Sequence, residues 1–112
     1  MEVVIKIAVL ASGSGTNLQA LIDAPDLGAD ICLVVSDRPD AAALGRAETA
    51  GIESRVVPWG EFDSRAEFTK AILGEIEHAG ADGIALAGFM RVLSGELIAV
   101  YPNRVLNIHP SL

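Results

Sequence analysis

The chain has 112 residues, 51% of them hydrophobic, with 8 Lys+Arg against 15 Asp+Glu and a formal net charge of -7. This length fits one domain that buries about 65% of the surface its unfolded form exposes, and so apolar a composition excludes a disordered tail. The acidic balance excludes bulk nucleic-acid binding, which needs a basic face, but leaves room for a small anion held by loop amides or a single arginine.

Val3 to Ala11, VVIKIAVLA, is short, β-branched and nearly all apolar, which predicts a strand covered on both faces. SGSGTN follows, then LQALIDA with Leu18, Leu21 and Ile22 at helical spacing. Ala29 to Ser36 predicts a second strand, and Ala41 to Ala50 an alanine-rich helix with Gly51 as its stop glycine. Glu53 to Pro58 predicts a third strand. Asp63 or Ser64 caps a helix running to about Ala79, stopped by Gly80. Asp82 to Ala87 predicts a fourth strand, GFMRVLS a loop or short helical turn, and Gly95 to Val100 a short helix ended by Tyr101-Pro102. Val105 to His109 predicts a fifth strand.

Strands alternating with helices predict an α/β fold: a Rossmann-like open parallel sheet with helices on both faces, in one domain over 1–112. The one cysteine, Cys32, allows no intrachain disulfide and fits a reducing compartment; its apolar surroundings predict a buried structural thiol. No apolar segment reaches the ~18 residues of a membrane span, and Met1-Glu2 ahead of the first strand is not the basic start of a secretory leader. A cytoplasmic protein with no membrane partner is expected.

Ligands of such sheets sit beyond the carboxyl ends of the strands, which singles out SGSGTN, SDRPD, GFMRVL and NIHPSL. In the first, Gly13, Ser14, Gly15, Thr16 and Asn17 join a strand to a helix. Glycines let an anion approach the amides, and the helix N-terminus adds positive potential. A phosphate suits that loop, and a plain tight turn capped by Thr16 or Asn17 is the competing reading. The dinucleotide fingerprint G-x-G-x-x-G is matched at Gly13 and Gly15, with Asp37 near the place of its acidic residue, but Leu18 stands where the third glycine belongs.

Asn107 and His109, two apart on a strand, point to one side. An amide can donate to a developing oxyanion, and an imidazole can give or take a proton near neutral pH. The pair suits addition to a carbonyl. One His and one Asn are too few ligands for a metal, and His78 falls on a helix that reads as solvated, so no metal is expected.

LASGSGTNLQALID, FDSR, LAGFMRVLS and NRVLNIHPSL together resemble phosphoribosylglycinamide formyltransferases, along essentially the whole chain. NIHPSL alone is shared with other formyltransferases and hydrolases that use 10-formyltetrahydrofolate, and GSGTN separates the glycinamide ribonucleotide enzymes from them. The resemblance implies transfer of a formyl group from 10-formyltetrahydrofolate to the amine of 5-phosphoribosylglycinamide, in purine biosynthesis. It implies that Gly13 to Asn17 hold the substrate phosphate. It assigns Arg65, Met90, Arg91, Val92, Leu93 and Asn107 to the folate, and catalysis to His109 and Asn107. Taken alone, FMRVL reads as an apolar connection and Arg65 as a solvated helix charge.

The resemblance also implies that these residues form roughly the amino-terminal half of such an enzyme. The other half would supply an aspartate that pairs with the histidine. The expected partner is then a complementary carboxyl-terminal half or a second copy, and apolar surface is expected where that half docks. A phosphorylated-ligand-binding module, a nicotinamide-dependent oxidoreductase and an assembly fragment are the other readings.

Overall fold

A computed structural model describes residues 5–24, 28–91, 93–102 and 104–108. In chain order the elements are β1 (Ile5–Leu10), α1 (Thr16–Asp23), β2 (Ala29–Ser36), α2 (Ala42–Thr49), β3 (Ser54–Val56), a 3-10 turn (Trp59–Glu61), α3 (Arg65–His78), β4 (Gly83–Ala87), α4 (Glu96–Val100) and β5 (Val105–Ile108). The strands form one sheet in the order β3-β2-β1-β4-β5, with every neighbouring pair parallel.

Local chemistry sets most boundaries. Ser64 caps α3: its hydroxyl accepts the Glu67 amide at 3.1 Å, while the Glu67 carboxylate accepts the Asp63 amide at 3.3 Å. Gly51 and Gly80 follow α2 and α3 with φ of 74°, the left-handed stop expected of them. β3 is shorter than the predicted Glu53–Pro58 because only Ser54 to Val56 pair along β2. No helical turn forms over Gly88 to Arg91. Val3, Val4, His109 and the residues after it lie outside the described residues.

Helices cover both faces, as predicted. Leu18 of α1 and Ala43 and Ala47 of α2 pack on Val9, Ala11, Val34, Ala85 and Ala87. Phe68, Ile72, Leu73 and Ile76 of α3 and Leu97 of α4 pack on Ala8, Leu10, Leu33, Val35 and Ile84 on the other. The change of face follows from the strand order. The chain moves outward from β1 to β3, then α3 carries it back to the far side of β1, and a constant crossover hand puts that return on the opposite face.

Two expectations need correction. β1 is covered on both faces only in its second half. Ile5 is 48% exposed, and with Ile7, Gly83, Ala85 and Leu106 it lines an apolar groove of about 550 Å³. Among the described residues no helix reaches that end of the α1/α2 face. Cys32 is half-buried rather than enclosed. It is the residue skipped where the β1–β2 register shifts between Ile7 and Ala8, so it lies at an irregularity of the sheet. Burial still pushes its thiol above the usual range.

Candidate active site

β1 has β2 on one side and β4 on the other, so the loops leaving β1 and β4 diverge and open a crevice at the carboxyl edge of the sheet. The two loops face each other across a cavity of about 220 Å³, lined by Gly13 to Asn17 on one wall and Ala87, Gly88 and Met90 on the other. The size suits a phosphate group with part of its ester.

The Gly13–Asn17 loop is shaped for close packing as well as for its turn. Gly15 has φ of 78° and is the N-cap of α1. A Cβ there would stand 2.7 Å from Ala43 Cα and 2.9 Å from Ala43 Cβ, so α2 sits where only glycine leaves room. Gly15 thus takes the capping position that the turn reading gave to Thr16 or Asn17, and no side chain caps the helix. The carbonyls of Gly13, Ser14 and Gly15 are all occupied. Gly13 O accepts the Ala43 amide at 3.1 Å, Ser14 O accepts Arg46 Nε at 2.7 Å, and Gly15 O accepts the Gln19 amide at 2.8 Å. None of the amides from Gly13 to Asn17 donates to a described residue. Five donors in a row, at a helix N-terminus, are the chemistry of an anion site.

The opposite wall is tied down by side chains from three elements. Ser12 is 1% exposed; its hydroxyl accepts the Met90 amide at 2.8 Å, and its own amide donates to Gly88 O at 3.4 Å. Arg91 Nε donates to Asp37 Oδ2 at 2.7 Å, with the guanidinium carbon 5.0 Å from the Trp59 ring centroid. Thr69 Oγ1 accepts the Ser94 amide at 2.9 Å, and Phe68 stacks on Phe89 at 6.3 Å. The first turns of α3, which begin at Arg65, therefore pack on this loop. Arg65 itself is exposed and forms no ion pair among the described residues.

The structure brings Gly13 to Asn17 and Met90 together. Arg91 is turned aside to Asp37 and Trp59. Leu93 packs against the hydrophobic cluster on the α3 face, while Met90 is 78% exposed. Asn107 is the penultimate residue of β5, beside β4, its backbone paired with Leu86 near the same carboxyl edge. Val92 and His109 lie outside the described residues.

Ser12, Asp37 as an ion-pair partner, Arg46 and Thr69 were not foreseen as contributors to this site. Each acts across 25 to 78 residues of chain, which local spacing does not reveal. Asp37 and Leu18 also dispose of the dinucleotide fingerprint. The Asp37 side chain is wholly buried against Arg91, so it presents no carboxylate at the surface for a ribose hydroxyl, and Leu18 is fully buried in the core where close helix approach would need glycine.

A doubly flanked parallel sheet with a glycine-rich loop at its switch point is a frame many enzymes share, and comparison narrows it. The family model described as Formyl transferase matches residues 5–112, and the chain belongs to that family. It is 43% identical over 109 residues to the phosphoribosylglycinamide formyltransferase of Escherichia coli K12, covering 95% of this chain and 51% of that protein. It is 46% identical over 111 residues to the trifunctional purine biosynthetic protein adenosine-3 of Gallus gallus, covering 96% of this chain and 11% of that one. Among solved structures, glycinamide ribonucleotide transformylase 1 from Geobacillus kaustophilus superposes with a TM-score of 0.91 at 42% identity, over 98% of this chain and 60% of that one. The chain spans about half the length of its single-function relative. No helix among the described residues is long and apolar enough to cross a membrane.

Proposed function

We propose that this chain carries the phosphate loop and two catalytic side chains of a phosphoribosylglycinamide formyltransferase, moving a formyl group from 10-formyltetrahydrofolate to 5-phosphoribosylglycinamide. The observation that carries the proposal is the crevice between the β1 and β4 loops, with amides on one wall that meet no partner among the described residues, in a chain 43% identical to an enzyme of that name.

In this reading Gly13 to Asn17 bind the substrate phosphate. Met90 to Leu93 and Arg65 receive the folate, with Arg91 held by Asp37 so that the loop backbone faces the ligand. The substrate amine attacks the formyl carbon, forming a C–N bond and a tetrahedral oxyanion. The Asn107 amide donates to that oxygen. His109 delivers a proton to the folate nitrogen as the C–N bond to it breaks, and the proton that the attacking amine sheds returns to the imidazole, so tetrahydrofolate and the formylated amide leave with protons in balance. No metal enters the scheme.

Residues 1–112 form one domain of this enzyme, and the apolar groove at Ile5, Ile7, Ala85 and Leu106 is where polypeptide equivalent to the rest of the relatives would pack. Tetrahydrofolate release, followed spectrophotometrically, tests the proposal. The chain alone is expected to be nearly inactive, and addition of a matching carboxyl-terminal segment to restore turnover that His109→Ala abolishes. Full turnover by the 112 residues alone, or none after complementation, would overturn it.

A further inference from the structure

We propose that Arg46, on α2, is a positioning residue for the anion site: it holds the Ser14 carbonyl away from the pocket, so that the loop presents amides to the ligand. The inference rests on the phosphate reading above and adds a residue from outside the loop.

A trans peptide carries its C=O and its N–H on opposite sides of one plane. Pinning a carbonyl therefore aims the next amide the other way. The Ser14 carbonyl and the Gly15 amide share a plane, and Arg46 Nε holds that carbonyl at 2.7 Å. The preceding plane, Gly13 carbonyl with Ser14 amide, is pinned by the Ala43 amide at 3.1 Å. Both anchors come from α2, on the side away from the pocket. Any residue but proline at position 43 supplies a backbone N–H, whereas the second anchor depends on the arginine side chain.

Two further contacts fix that side chain. Its NH1 donates to Gln19 Oε1 at 3.3 Å, tying it to α1, and its Cδ stands 3.0 Å from where a Gly15 Cβ would be. The charge is an independent pointer. The chain carries nearly twice as many acids as bases, yet among the described residues Arg46 forms no ion pair and spends its donors on a carbonyl and an amide. A guanidinium with no counter-ion among the described residues, beside five amides with no described partner, adds to the potential that draws an anion.

The test is titration of the chain with ribose 5-phosphate, followed by amide chemical shifts. In the wild type the Gly15, Thr16 and Asn17 amides are expected to shift. Arg46→Ala is expected to weaken binding about 10-fold or more, the scale of one charge-assisted hydrogen bond, with the core amides unmoved. Arg46→Lys keeps charge and a donor and is expected to restore most of the affinity. Lys70→Ala, which removes the same charge from the exposed side of α3, is expected to change nothing.

Unchanged affinity in Arg46→Ala, or equal losses in Arg46→Ala and Lys70→Ala, would overturn the assignment. No shift in the wild type would instead overturn the phosphate reading itself. In the complemented enzyme Arg46→Ala is expected to raise KM for the phosphorylated substrate and leave kcat and the folate KM in place. A fall in kcat alone counts against a positioning role.

Discussion

Replacing Gly15 by alanine perturbs the chain where its turn and its packing meet. The residue sits at φ 78°, and a Cβ would meet Ala43 Cα at 2.7 Å and Arg46 Cδ at 3.0 Å. The left-handed conformation costs an L-residue about 1–2 kcal/mol. The contact with Ala43 is with backbone, which cannot swing aside, and forcing α2 outward adds about 1–3 kcal/mol. Reduced freedom of the unfolded chain returns about 0.4–1 kcal/mol. The net loss is then about 2–4 kcal/mol. Gly80→Ala is the matched control: its φ is 74°, but nothing lies within 4 Å of its Cβ position, so it bears only the conformational cost, about 1 kcal/mol net. Urea unfolding of the two variants at equal m-values gives the difference directly. Gly15→Ala no less stable than Gly80→Ala would refute the packing argument and, with it, the placement of α2 against the loop.

Ser12→Ala removes the acceptor of the Met90 amide and is expected to raise hydrogen exchange at Met90 above the wild-type rate, with stability falling by about 1 kcal/mol; unchanged protection at Met90 would count against the tie between the two loops. Asp37→Ala strands Arg91, and Asp37→Asn leaves an acceptor for its Nε, so alanine is expected to cost more than asparagine by about 1 kcal/mol in thermal unfolding; equal costs would mean that the pair does not hold the loop. Tyr101 is buried with its hydroxyl donating to Ala81 O at 3.1 Å. Desolvation, helped by Glu77 and Asp82, raises the phenol above its ordinary value. The folded state therefore binds that proton more tightly than the unfolded state. Its stabilising contribution is whole below about pH 10 and is lost as pH rises through the folded value. Tyr101→Phe is expected to flatten the alkaline fall in stability, and an unaltered slope would refute the assignment.

What short-range chemistry determines could be read from the residues alone. Ser64 with Glu67, Gly51 and Gly80 act within a turn of their own helices, so α2 and α3 begin and end where the sequence puts them. Alternating apolar strands and helices imply the parallel sheet, because short crossovers of one hand leave few other arrangements. The glycine loop was legible for the same reason, since its glycines and the helix after it are contiguous. The tertiary structure decided what depends on strand order. Placing β4 beside β1 brings Met90 to Ser12 across 78 residues and Arg91 to Asp37 across 54. Packing α2 beside α1 sets Arg46 on Ser14 and leaves Gly15 no room for a Cβ. It also left Ile5 half-exposed although the strand's composition predicted cover, because composition records how apolar a face is, while only the placement of helices records what lies over it.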